Sequence, residues 1–73
     1  MVASLPFDHL GDLLLNLRRK NGSSQEAIAR RLGVSSKTIC RWEKGEFIPS
    51  FEHAVQLARV YKVSIADFVN TES

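Results

Sequence analysis

Apolar residues recur along the chain at the spacing of amphipathic α-helices, in segments separated by turn residues. The apolar residues of the first segment fall within one stripe about 120° wide when each residue advances about 100° around a helix. These residues are Phe7, Leu10, Leu13, Leu14 and Leu17. The stripe predicts a first helix over residues 7–20, and the Asn21 and Gly22 that follow tolerate the left-handed conformation that ends many helices.

Two shorter helices are expected next, with about three residues between them. Either Ser23 or Ser24 is suited to cap the first of the two, and Ser23 and Glu26 have the spacing of a capping box. Gly33 is expected to end that helix. Ser35 is suited to cap the next helix, which therefore begins at the residue after it.

The third predicted helix extends to Lys44 and has two distinct faces. Ile39 and Trp42 fall on one side of a helical wheel, which predicts that they enter the core. The opposite side carries hydroxyl, ammonium, thiol and guanidinium groups. It consists of Ser36, Lys37, Cys40, Arg41 and Lys44.

A fourth helix is expected after Pro49 and Ser50, which together form a strong start signal. Its predicted inner side consists of Phe51, Ala54, Leu57, Ala58 and Tyr61. Ser64 is suited to cap a last short helix. The apolar residues of that helix are Ile65, Phe68 and Val69. No stretch alternates convincingly as a strand does, so the predicted fold class is all-α, a compact five-helix domain.

Length and composition narrow the class of protein. A chain of 73 residues has room for one small core, so residues 1–73 are expected to form a single domain, and an enzyme of this size is unusual. Cys40 is the only cysteine, which excludes an internal disulfide and the ligand set of a structural zinc site. His9 and His53 lie far apart without other ligands at metal-binding spacing. We therefore expect no catalytic site, metal or other cofactor.

The N-terminal stretch predicts neither a signal peptide nor a membrane span. It lacks a basic n-region, and Asp8 and Asp12 interrupt its apolar run. A chain without disulfides and without an export signal is expected in the cytoplasm.

Charge is distributed unevenly along the chain. The segment from Arg18 to Lys44 carries eight basic residues against two acidic ones, a net charge of +6, whereas the remainder has a net charge of −4. A polyanionic partner for the middle segment is one interpretation, and a set of merely solvated helix faces is the other. The charge pattern alone leaves both open.

A short helix, a turn containing glycine and a second helix with a donor-rich outer face are typical of a helix-turn-helix. The stretch "SQEAIARRLGVSSKTICRWEKGEFIPS" resembles the phage repressor and Cro type of helix-turn-helix, the XRE family. The residues that match the family pattern are Gln25, Ala29, Gly33, Val34, Ile39, Trp42, Glu43, Gly45, Pro49 and Ser50. The resemblance covers about residues 7–69 and implies the fold of the lambda repressor.

The chain departs from the family pattern at two positions. Lys62 stands where glycine is frequent, so either this lysine adopts the left-handed conformation, at a cost of about 1 kcal/mol, or the turn differs. Ala54 is small where leucine is common, which predicts a thinner core near the fourth helix.

The resemblance also implies roles for individual residues on double-stranded DNA. Family members read base edges in the major groove with the third helix, so the expected base contacts are Ser36, Lys37, Cys40 and Arg41. The expected phosphate contacts are Gln25, Ser35, Lys44 and the backbone near Gly45, although capping its helix is the safer role for Ser35. The family pairs the positions of Arg18 and Glu43 in a partly buried ion pair.

These roles predict a sequence-specific transcriptional regulator, most simply a repressor that binds a two-fold symmetric operator as a homodimer. Ile65, Phe68 and Val69 are the candidates for dimer contacts, or else they close the core. Two alternatives remain. An antitoxin would use the same DNA-binding face beside a toxin-binding one, and a protein-interaction module would keep the fold without binding DNA. The basic stripe of the third helix argues against the second alternative.

Overall fold

The computed structural model describes residues 9–68, and these residues form an all-helical fold. Four α-helices follow one another along the chain: α1 (Leu10–Asn21), α2 (Gln25–Leu32), α3 (Ser36–Lys44) and α4 (Phe51–Tyr61). A 3-10 helix of four residues, Ile65–Phe68, comes last. The all-α prediction therefore agrees with residues 9–68, whereas the expected fifth α-helix is a single 3-10 turn.

Serine hydroxyls begin three of the helices. Ser24 accepts a hydrogen bond from the backbone N–H of Ala27, 3.0 Å away, and caps α2. Ser35 and Ser50 cap α3 and α4 in the same way. The three α-helices therefore start where the serine pattern predicts.

The predicted capping box between Ser23 and Glu26 is wrong. Ser24 is the N-cap residue of α2, so Ser23 lies one position outside the helix. The backbone N–H of Ser23 donates to the carbonyl of Arg18, 3.3 Å away, as part of the C-terminal cap of α1. The Ser23 N–H is therefore already paired and does not require the Glu26 carboxylate as an acceptor.

The first helix begins later in the structure than predicted. It starts at Leu10 after His9, and no side chain caps it. Phe7, which the apolar stripe placed in this helix, lies outside the described residues. At its other end Gly22 adopts the left-handed conformation with φ of 75°, so the predicted stop is confirmed.

The core lies between the helices, and within residues 9–68 eleven buried hydrophobic side chains form it. They are Leu10, Leu14, Ile28, Ala29, Leu32, Ile39, Trp42, Leu57, Ala58, Tyr61 and Phe68. The inward orientation predicted for Ile39 and Trp42 is confirmed. Trp42 also packs on the His53 ring, with 5.3 Å between the ring centroids.

Phe51 does not belong to the core, and its predicted inward orientation is wrong. Its side chain is 75% exposed. Phe51 is the first residue of α4 and lies at the edge of that helix's apolar stripe. The helical spacing there is correct, but a stripe buries a side chain only where another element packs against it.

The core is open beside the start of α4. An apolar pocket of about 200 Å³ lies there, lined by Leu10, Ile48, Pro49, Phe51, Ala54, Ile65 and Phe68. The small side chain of Ala54 leaves this space, as the departure from the family pattern predicts. At the other end of α4, Lys62 adopts the left-handed conformation with φ of 60°. Of the two alternatives predicted for Lys62, a left-handed lysine or a different turn, the left-handed lysine is therefore correct.

Helix α1 crosses α3 at Gly11, where the two backbones touch. A Cβ atom at Gly11 would overlap the carbonyl oxygen of Glu43 and lie 2.9 Å from its carbonyl carbon. Only glycine allows so close an approach. This crossing sets the position of α3 on the molecule. It was not predicted from the sequence, although a glycine inside a helical pattern is a recognised sign of close packing.

Candidate nucleic-acid interface

Helices α2 and α3 form a helix-turn-helix. Three residues, 33–35, connect them, and Gly33 adopts the left-handed conformation with φ of 74°. Val34 is half-buried and packs against the core. Ile39 and Trp42 hold the inner side of α3 on the core, so its other side faces solvent.

The outer side of α3 is basic. Lys37, Arg41 and Lys44 are exposed, and Ser36 and Cys40 between them are half-buried. The structure therefore brings together on one helix face the four predicted base-contact residues and one predicted phosphate contact. Three cations about one helical turn apart, with a hydroxyl and a thiol among them, are suited to bind a polyanion and to contact groove edges.

Arg41 has an aromatic neighbour that was not predicted from the sequence. Its guanidinium carbon lies 5.5 Å from the centroid of the Phe47 ring, in the connection between α3 and α4. This is within the range of a cation–π contact. No sequence pattern signals it, because it depends on how the chain turns after Gly45.

Helix α2 begins beside Glu43, near the C-terminal end of α3. Its first residue, Gln25, is half-buried. The Gln25 side-chain amide donates a hydrogen bond to the carboxylate of Glu43, 2.9 Å away, which fixes its orientation. An amide NH₂ group has two donors, so one remains for an anion, together with the unpaired backbone N–H groups of the first turn.

Arg18 and Glu43 form a bidentate ion pair between α1 and α3. Arg18 Nε donates to Glu43 Oε2 at 2.6 Å, and Arg18 Nη2 donates to Glu43 Oε1 at 3.1 Å. The remaining guanidinium nitrogen donates to the backbone carbonyl of Ser23, 3.1 Å away. The side chains are 15% and 6% exposed, respectively. The pair expected from the family resemblance is thus present and largely removed from water.

This pair influences the groups around it. The hydrogen bond to Glu43 raises the pKa of Arg18, which stays charged. Tyr61 lies in the same region of the core, and its burial raises its pKa to about 12. Because Glu43 also accepts from Gln25, one carboxylate joins α1, α2 and α3.

Two predicted phosphate contacts already have partners within the chain. The Ser35 hydroxyl accepts from the N–H of Thr38 at 3.2 Å, which confirms its capping role. The Gly45 N–H donates to the carbonyl of Trp42 at 3.1 Å. Among the described residues, the N–H groups near Gly45 without a backbone acceptor are those of Phe47 and Ile48.

Residues 9–68 contain no group of three His, Cys, Asp or Glu side chains that could hold a metal ion. Nor does this part of the chain include a helix long and apolar enough to cross a membrane.

Comparison with known sequences places this arrangement in a family. Residues 14–68 match the sequence profile of the helix-turn-helix family HTH_3. The chain belongs to this helix-turn-helix family. It is 42% identical over 50 residues to an uncharacterised HTH-type transcriptional regulator of Archaeoglobus fulgidus. It is 39% identical over 57 residues to a protein of Thermococcus kodakarensis named as an HTH-type transcriptional regulatory protein.

The match covers different shares of these relatives. It spans 68% of this helix-turn-helix chain and 71% of the Archaeoglobus regulator. It spans 78% of this chain but only 18% of the Thermococcus protein. The chain thus corresponds to most of one regulator and to a small part of another.

Solved structures agree with the family assignment. The P22 c2 repressor, in a crystal structure with a synthetic operator, superposes with a TM-score of 0.80 at 25% identity. The superposition covers 86% of this chain and 96% of that repressor chain. The phage-repressor resemblance predicted from the sequence is therefore confirmed at the level of fold and family.

Proposed function

We propose that this chain binds double-stranded DNA in a sequence-specific manner and regulates transcription, most simply as a cytoplasmic repressor without catalytic activity. In this proposal the whole chain acts as one domain. The observation that carries it is the exposed basic face of α3, formed by Lys37, Arg41 and Lys44 on a helix-turn-helix. The structural similarity to a repressor in complex with its operator supports this choice of partner.

Helix α3 enters the major groove in this proposal. Ser36, Lys37 and Arg41 contact base edges, with Cys40 against a thymine methyl group. Arginine and lysine both suit the O6 and N7 acceptors of guanine, which favours a G·C pair in each half-site. The half-buried positions of Ser36 and Cys40 limit them to short-range contacts, whereas the exposed cations can extend toward the bases.

The proposed phosphate contacts lie near the two ends of this helix. Gln25 offers its second amide N–H at the start of α2, and Lys44 offers an ammonium group at the end of α3. Ser35 lies at the start of α3, and its hydroxyl can donate to a phosphate when the Thr38 hydroxyl, 3.0 Å away, donates to the Ser35 oxygen. Near Gly45, the N–H groups of Phe47 and Ile48 are suited to a phosphate, since the Gly45 N–H is paired within the chain.

We further propose a homodimer on a two-fold symmetric operator. Of the three predicted dimer residues, Ile65 is half-buried and Phe68 is buried, so Phe68 closes the core. Val69 lies outside the described residues. Exposed apolar side chains beside Ile65, those of Ile48 and Phe51, are 56% and 75% exposed and support an apolar contact between subunits.

The alternative of a protein-interaction module without DNA binding predicts a different response to salt. If about three cations per subunit contact phosphates, the logarithm of a dimer's affinity falls against the logarithm of salt concentration with a slope of roughly −5. Affinities for a duplex between low and physiological salt test this. A nearly flat response contradicts the proposal and favours the protein-interaction module.

Selection of bound duplexes from a random pool tests the proposal further. An enriched palindrome is the expected result, since it requires specificity and two-fold symmetry at once. An enriched site that lacks an inverted repeat contradicts the proposed dimer but not sequence-specific binding. No enrichment at all contradicts sequence-specific binding.

Arg41 and Lys44 separate base reading from phosphate binding. Arg41→Ala is expected to weaken binding to the selected operator by about 1–3 kcal/mol and to relax discrimination at one base pair. Lys44→Ala is expected to weaken all duplexes by a similar factor and to reduce the salt slope by about one unit per subunit. Affinities for the operator, for its single-pair variants and for an unrelated duplex measure both. Equal weakening of every duplex by Arg41→Ala contradicts base reading by Arg41.

A further inference from the structure

Phe47 lies outside the core, against a side chain of the proposed DNA-binding face. It is 56% exposed, and the Arg41 guanidinium carbon lies 5.5 Å from its ring centroid. A single exposed phenylalanine needs no explanation. A phenylalanine that contacts the proposed base-reading arginine can orient that side chain through a cation–π contact.

The backbone after α3 determines where the Phe47 ring lies. The N–H of Gly45 donates to the carbonyl of Trp42 at 3.1 Å, and the N–H of Glu46 donates to the carbonyl of Arg41 at 3.0 Å. These two bonds form a Schellman motif, with Gly45 in the left-handed conformation at φ of 80°. Because Glu46 is bonded to the Arg41 carbonyl, the chain turns back there and the next residue lies beside Arg41.

The contact leaves the guanidinium free to bind. A guanidinium stacks on an aromatic ring through its face, while its N–H donors lie in its plane. Recognition of guanine uses two of those in-plane donors. Within residues 9–68 no carboxylate pairs with Arg41, so these in-plane donors are not taken up by a salt bridge.

We propose that Phe47 is a positioning residue for sequence discrimination. Its ring holds the Arg41 guanidinium in one orientation, in the free protein and on DNA, so that less side-chain freedom is lost when Arg41 binds a base. The inference rests on the proposed function, since base reading by Arg41 is part of it.

The test compares four substitutions in the full chain. Phe47→Leu keeps an apolar side chain and removes the π face, whereas Phe47→Trp keeps a π face and is the rescue variant. Phe51→Leu is the matched control for the spectra of the free protein only, because it makes the same substitution at an exposed phenylalanine but at the proposed subunit contact. Arg41→Ala identifies the base pair that Arg41 reads.

The free protein gives the first readout. In NMR spectra, Phe47→Leu is expected to remove the ring-current shifts of the Arg41 side-chain protons, and Phe51→Leu to leave them in place. Arg41 shifts that are unchanged in Phe47→Leu overturn the proposal before any DNA is added.

DNA affinity gives the second readout. The ordering of one long side chain on binding corresponds to an effect of about twofold to tenfold on affinity. Phe47→Leu is therefore expected to weaken operator binding by about that factor, to relax the base pair that Arg41→Ala relaxes, and to spare an unrelated duplex. Phe47→Trp is expected to keep discrimination. In the Arg41→Ala background, Phe47→Leu should have no further effect.

Two failures are distinguishable. If Arg41→Ala relaxes a base pair and Phe47→Leu does not, or if their effects add, only the positioning role of Phe47 is overturned. If Arg41→Ala relaxes no base pair, base reading by Arg41 fails, and the role of Phe47 fails with it.

Discussion

Two regions of this small domain are held together by different means. Where α1 crosses α3, Gly11 brings the backbones into contact, and the buried carboxylate of Glu43 binds Arg18 and Gln25. Where α4 begins, an apolar pocket remains open and Phe51 is exposed. The first region fixes the orientation of α3, and therefore of the proposed DNA-binding face, whereas the second leaves apolar surface that a subunit contact can use.

This difference shows that specific polar contacts and apolar packing place different requirements on the residues involved. A buried ion pair has strict geometry, and removal of one partner leaves a charge poorly solvated. An apolar surface has no such requirement and tolerates changes in volume. We therefore expect mutations in the α1–α3 crossing to be costly and mutations beside the pocket to be mild.

The largest effect is expected for Glu43→Ala. This substitution removes the carboxylate partner of the Arg18 guanidinium, whose side chain is 15% exposed. Because the remaining charge is poorly solvated, the free energy of unfolding should fall by about 3 kcal/mol. Denaturant unfolding measures this. Glu46→Ala removes an exposed carboxylate three residues away and should change stability by less than about 0.5 kcal/mol. An unchanged denaturant midpoint for Glu43→Ala would show that the pair makes no net contribution to stability.

A smaller loss is expected for Gly11→Ala. The added Cβ meets the Glu43 backbone, so α1 and α3 must separate, at a cost of about 2 kcal/mol. Helix propensity alone predicts the opposite sign, because alanine is favoured over glycine in a helix by about 1 kcal/mol. Thermal unfolding decides between them. Asn16→Ala, at an exposed position of the same helix, is the control, and a Gly11→Ala variant more stable than the parent chain contradicts the close crossing.

A larger side chain in the apolar pocket beside α4 is expected to raise stability instead of lowering it. Ala54→Leu places a larger apolar side chain in a space of about 200 Å³ and should raise the free energy of unfolding by about 1 kcal/mol. Ala66→Leu, at an exposed position of the 3-10 helix, should change it little. A destabilised Ala54→Leu variant would show that the pocket cannot accept the extra volume.

The last effect is confined to alkaline pH. The pKa of Tyr61 is raised to about 12 in the folded chain, from 10.0, chiefly by burial. The folded state therefore holds the phenol proton more tightly than the unfolded state. This contribution to stability is complete below pH 10 and decreases as the pH rises toward 12. Tyr61 is the only tyrosine, so tyrosinate absorbance follows it directly, and a midpoint near 10 in the folded chain contradicts its burial.

Much of the fold was predictable because it depends on neighbouring residues. Ser24, Ser35 and Ser50 each accept a hydrogen bond from an N–H three residues further on, and such contacts require no knowledge of the rest of the chain. The capping-box prediction failed because Ser23 and Ser24 are equivalent as sequence signals. The difference between them arises from the bond between Ser23 and Arg18.

The candidate DNA-binding face was predictable for a related reason. Helical periodicity alone separates Ile39 and Trp42 from Lys37, Arg41 and Lys44, and one side of α3 must be buried for so small a chain to fold. Which of the outer residues has an aromatic neighbour could not be predicted. The contact between Arg41 and Phe47 depends on the path of the chain after the helix.

The sequence by itself determined α2, α3 and α4, the serine caps of α3 and α4 and the two faces of α3, since these follow from interactions over three or four residues. The tertiary structure decided which distant residues meet, and of the contacts made by Glu43 only the pair with Arg18 was expected, from the family resemblance. Arg18 and Glu43 are 25 residues apart, and Gln25 and Glu43 are 18 apart. Their contact requires α1 to cross α3 at Gly11, and a crossing depends on how all the helices pack together. The same packing left Phe51 exposed, because no described helix covers the edge of α4 on which it lies.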